Sequence, residues 1–160
     1  AEIFSLAERD DVSVIRGWGA THLFRSIPHV ISVRVCAPAP VRLRRMMERL
    51  NTSDEAMVVN EIKLSEEAHA AITRRHFGIN WQDSEHYDLT LNTERVSIDE
   101  CVDEIMALVR DPRFQKTRDS ARILSDLALE HHVRAAAREL AAMGAAHRLL
   151  DDLVDDAKFL

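Results

Sequence analysis

Among the residues of this chain able to do chemistry, the arginines carry the clearest pattern. Arg16 leaves the short apolar run Val12–Ile15 and is followed by Gly17-Trp18-Gly19. Arg42, Arg45 and Arg49 share a helical face next to the apolar series Leu43, Met46, Met47 and Leu50. A guanidinium is always charged and offers a planar fork of donors that matches a phosphate or carboxylate. A strand that ends in a turn and enters such a helix brings those forks to the carboxyl edge of an α/β sheet, where ligands bind. Arg16, Arg42 and Arg45 are therefore candidates for one anion site. The competing readings are a solvated helix face for Arg42 and Arg45, and a structural ion pair for Arg16.

Other chemistries find less support. Glu66, His69, Thr73 and His76 fall on roughly one helical face, and with His131 and His132 they are the nearest approach to a metal site. Helical metal motifs place histidines at i and i+4, whereas His69 and His76 are two turns apart, so no metal site is expected. No Gly-x-Ser-x-Gly marks a nucleophilic serine, and no catalytic residue is assigned. Trp18 and Trp81 can stack on a base or serve as core and rim residues.

The elements that must position these groups follow from periodicity. Ala1–Arg9 reads as a short amphipathic helix and Val12–Ile15 as a buried strand, followed by a turn and a helix to about Arg25. Val30–Cys36 is a β-rich run that Pro38 and Pro40 stop, and the arginine helix follows. A long helix spans about Ser53–His76, with capping-box spacing at Thr52 and Glu55 and a glycine stop at Gly78. Residues 81–86 read as loop, and Tyr87–Asn92 alternates as a half-buried strand does. Ser97 and Glu100 open a helix with an apolar face from Ile98 to Val109, ended by Asp111-Pro112. This alternation predicts an α/β fold, a parallel sheet with crossover helices, over residues 1–112. Residues 113–160 form a helical tail in which Gly144 is expected to end a first helix. The stripe Leu149, Leu150, Leu153 and Val154 then folds back or reaches a neighbouring subunit, which predicts a homo-oligomer.

Composition limits the partners. A 160-residue chain that is 46% hydrophobic and 30% charged can bury one core. Its net charge of -6 argues against nucleic acid as the main partner. No apolar run reaches membrane-spanning length and no signal peptide opens the chain, so no membrane role is expected. Cys36 and Cys101, each inside an apolar pattern and without metal or redox spacing, read as buried thiols of a cytoplasmic protein.

Four strings together resemble the cytidylate kinase-like family, among the P-loop nucleoside-monophosphate kinases. They are Val14-Ile15-Arg16-Gly17-Trp18-Gly19-Ala20, the arginine strand-helix unit, Arg74-Arg75-His76-Phe77-Gly78-Ile79-Asn80-Trp81, and Tyr87-Asp88-Leu89-Thr90-Leu91-Asn92-Thr93 with the Ser97-Ile98-Asp99-Glu100 start. The resemblance covers roughly residues 12–110. It implies a P-loop kinase fold and phosphoryl transfer from ATP to a nucleoside monophosphate. The monophosphate would lie beside Arg16 and Gly17, with Arg42, Arg45, Arg74 and Arg75 neutralising charge, and with ATP and Mg as cofactors if a P-loop is present.

The departures carry equal weight. A P-loop needs Gly-x-x-x-x-Gly-Lys-Ser/Thr, yet none of the three lysines follows any of the four glycines. Where such kinases carry lid arginines and an aspartate, this chain has Ser65, Glu66, Glu67 and His69. The strand leading into the P-loop would lie between those matching Val12–Ile15 and Val30–Cys36. We therefore expect the later part of a longer protein, inactive by itself. The alternative is a non-catalytic nucleotide- or anion-binding module that self-associates through its tail.

Overall fold

The computed structural model describes residues 2–8, 14–17 and 19–157. Val33–Cys36 forms β1 and Leu89–Asn92 forms β2, and they pair in parallel with Val33 opposite Leu89 and Cys36 opposite Asn92. Parallel neighbours require a crossover, here supplied by α3 (Ala39–Leu50) and α4 (Glu55–Phe77). A mixed α/β architecture with a parallel sheet is thus present, with two strands among the described residues. Among those residues no helix is long and apolar enough to cross a membrane.

Local chemistry accounts for the element ends. Pro38 and Pro40 flank the start of α3, where a missing N–H costs nothing, and Asn51 in the left-handed region ends it. Asp54 caps α4 by accepting from the Met57 amide at 2.9 Å. The capping box expected at Thr52 and Glu55 is therefore not the one used, because an aspartate at the cap competes better. Thr52 instead takes the Asp54 amide. Gly78, at φ 69°, stops α4 as expected. Ser97 and Glu100 form the reciprocal box that starts α5 (Ile98–Arg110), and Asp111 closes it. A single 3₁₀ turn, Ser84–His86, interrupts the loop before β2.

The chain groups into two compact units, residues 14–120 and residues 1–13 with 121–160. In the first, Phe24, Ile27, Val41, Val58, Leu91 and Cys101 are buried, and the short helix α2 (Ala20–Leu23) enters it from Gly19. In the second, Phe4 of α1 (Glu2–Ala7) stacks on His131 of α6 (Arg118–Ala157) at 4.5 Å, and Leu124 and Ala128 are buried.

Two sequence expectations are corrected. Val14 and Ile15 do not form a strand, and Val14 is 92% exposed. Positions 12 and 13 lie outside the described residues. A short apolar run stays extended only against a ladder partner, and β1 pairs with β2 alone among the described residues. Gly144 does not end a helix, since α6 runs unbroken through it. A helical glycine costs only about 1 kcal/mol relative to alanine. Alanines at 141, 142, 145 and 146, the best helix formers, flank it. The stripe Leu149, Leu150, Leu153 and Val154 lies outside the described side chains.

Candidate functional site

The carboxyl ends of β1 and β2 are tied to the arginine helix through Thr93. Its amide and hydroxyl both donate to the Cys36 carbonyl, at 2.9 and 3.2 Å. Arg45 reaches down from α3 and donates to the Thr93 hydroxyl and carbonyl, each at 2.7 Å. One turn earlier, Arg42 pairs with Glu66 of α4. Arg45 thus reaches the carboxyl end of β2, whereas Arg42 is engaged with α4, so each has a protein partner. Arg16 is exposed ahead of α2, and Arg74 and Arg75 are exposed in the last turn of α4.

Gly17 lines a cavity of about 160 Å³ with His22, Arg34, His69, Trp81 and Tyr87. Arg34 comes from the middle of β1, a cation within an apolar strand. Its guanidinium lies 5.2 Å from the Trp81 ring centre and 5.9 Å from that of Tyr87. It donates to the Gln82 carbonyl, while its Nε is buried with no hydrogen-bond partner. A buried donor left unmatched is costly. His69 stacks on Trp81 at 4.3 Å, and the Tyr87 hydroxyl holds the Trp81 carbonyl at 2.7 Å. His22 meets the His86 ring edge-on at 5.5 Å and the Phe77 ring at 5.3 Å.

Burial sets the electrostatics. It holds the His22 imidazole below its ordinary pKa, with His86, His69 and Arg25 adding repulsion. Burial does the same to His69, helped by the Arg34 charge, and raises the Tyr87 phenol. The cavity thus presents one fixed cation among neutral imidazoles and aromatic faces. Ligand pockets run to roughly 300–1,000 Å³, so this one holds a phosphate-sized group rather than a whole nucleotide. A wider groove between α3 and the start of α4, about 640 Å³, is open and mixes Arg44 with Glu48 and Glu55.

The helical face Glu66, His69, Thr73, His76 does not converge. Glu66 pairs with Arg42, His69 stacks on Trp81, and Thr73 is buried with its hydroxyl donating to the His69 carbonyl. Trp81 and His69 were visible in the sequence as possible contacts, but Arg34 and His22 were not singled out. The signal available for Arg34 was its place in β1 between Val33 and Val35, where a charge needs a reason. Trp18 lies outside the described residues.

The model of the cytidylate kinase-like family matches residues 3–95, which include the cavity and the Arg45–Thr93 tie. The chain belongs to the cytidylate kinase-like family. A cytidylate kinase of Sulfolobus acidocaldarius is 27% identical over 108 residues, 68% of this chain and 58% of that relative. The chain therefore spans less than two thirds of the relative it matches. Within this cytidylate kinase-like chain no Gly-x-x-x-x-Gly-Lys occurs, so its own residues do not fit the amide-and-lysine cradle that ATP phosphates require.

Proposed function

We propose that this chain supplies the monophosphate-recognising part of a cytidylate kinase-like protein, with a cytidine monophosphate as the class of substrate. The observation that carries this reading is the cavity beside Gly17, which the Arg34 guanidinium lines together with the Trp81 and Tyr87 rings. The family match and the cytidylate kinase named among its relatives supply the substrate class. Arg34 binds the phosphate of the monophosphate, Arg16, Arg42, Arg74 and Arg75 are further cations proposed to engage it once substrate is bound, and Arg45 braces the edge through Thr93. Phosphoryl transfer rests on positioning and charge stabilisation, which such a set of arginines provides for the acceptor side only. ATP and Mg belong to a P-loop that these 160 residues do not contain.

The chain by itself is then a binding unit without turnover. Titration with CMP should give saturable binding that weakens at least tenfold on Arg34→Ala and less on Arg42→Ala, with no ADP formed from ATP. Binding unchanged by Arg34→Ala would overturn the site, and CMP-dependent ADP formation by the isolated chain would overturn the division of labour. The lack of a P-loop also favours a second reading, a non-catalytic anion-binding module. That reading holds if phosphate binds as tightly as CMP.

A further inference from the structure

Helix α6 carries apolar stripes on opposite sides. On one, Leu124 and Ala128 are buried and His131 stacks on Phe4 of α1, so this side already has its cover. The other is formed by Leu129, Val133, Ala136, Leu140 and Met143, whose spacing alternates between four and three residues. Its large members are 63%, 59%, 69% and 69% exposed in chain order. The same alternation continues in the sequence through His147 to Leu150 and Val154. Within its own unit, the other described helix is α1, which lies against the covered side.

We propose that a second copy of this chain covers this stripe, the two helices forming a parallel, in-register, two-stranded coiled coil. A seven-residue repeat packs knobs into holes only against a helix of the same repeat, which an identical chain supplies. In this register Val133 and Leu140 hold the a positions and Leu129, Ala136 and Met143 the d positions. Val133 at a beside Leu129 at d is the combination that favours two parallel strands, and Leu140, Ala136 and Met143 extend the apolar seam. The flanks agree: His132 faces Ala137 of the partner and Glu139 faces Gly144 of the partner, so no like charges meet. The seam from Leu129 to Val154 spans 26 residues, about 39 Å, and so reaches the three to four heptads that a coiled coil needs.

Sedimentation equilibrium of the full chain tests this. The wild type should have twice the chain mass at micromolar concentration, Leu140→Ile should keep it, and Leu140→Glu should halve it. Leu140 is exposed in the single chain, so the charge is tolerated there. A separate arm does not depend on that variant: Met143→Cys, at a d position, should cross-link quantitatively on mild oxidation, while the wild-type thiols do not. A monomeric wild type, a dimer that survives Leu140→Glu, or a dimer that Met143→Cys fails to cross-link would each overturn the proposal.

Discussion

Thr93 is buried, and both its carbonyl and its hydroxyl depend on the Arg45 fork. Removing the fork leaves buried acceptors unmatched, which costs about 1–3 kcal/mol. Arg45→Ala should lose that much in urea denaturation, and Arg45→Lys should recover only part, since an ammonium cannot span both oxygens. A neutral result would mean that water replaces the fork. The histidines give a second residue-scale expectation. His22, His29 and His69 all have folded-state pKa values below the ordinary 6.5, burial being the main cause in each. The unfolded chain then binds more protons than the folded one as pH falls below that value, so stability is full above it and declines beneath it. The thermal midpoint should drop as pH is lowered through 6.5, and less steeply in His22→Gln. A profile that rises on acidification would refute this sign.

At the scale of elements, caps and glycines decide where helices stop. Ser97→Ala removes the acceptor for the Glu100 amide and should cost about 1 kcal/mol, read from the unfolding midpoint. Glycine has opposite meanings at two positions. Gly19 sits at φ 93°, and a Cβ there would stand 2.8 Å from the Phe77 ring, so Gly19→Ala should destabilise the entry to α2. Gly144 lies inside α6, so Gly144→Ala should stabilise by about 0.5–1 kcal/mol, seen as a higher helical melting temperature. Destabilisation by Gly144→Ala would restore the turn that the sequence suggested.

On the scale of the whole molecule, two kinds of surface remain open. Val35 of β1 is exposed, and a two-stranded sheet is marginal without further cover. The seam on α6 is the other surface. Association binds the folded state and raises its apparent stability by mass action. The melting temperature should therefore rise with protein concentration in the wild type and become concentration-independent in Leu140→Glu. A melting temperature independent of concentration in both would argue against the dimer.

Much of this protein was legible in the sequence because it is written locally. The parallel strand-helix-strand order follows from apolar runs and prolines, as do the Ser97–Glu100 box and the Gly78 stop. The family was legible too, because strings such as Tyr87–Thr93 keep their residues in order. Tertiary structure alone decided how the side chains are used. Arg45 found Thr93 48 positions away, Arg42 found Glu66, and Arg34 came to lie over Trp81 and Tyr87. Spacing places a guanidinium on a face, but only the packed fold sets which acceptor, or which empty cavity, it meets. The same reason explains Val14 and Ile15, whose apolar character called for a strand that no described neighbour was present to pair.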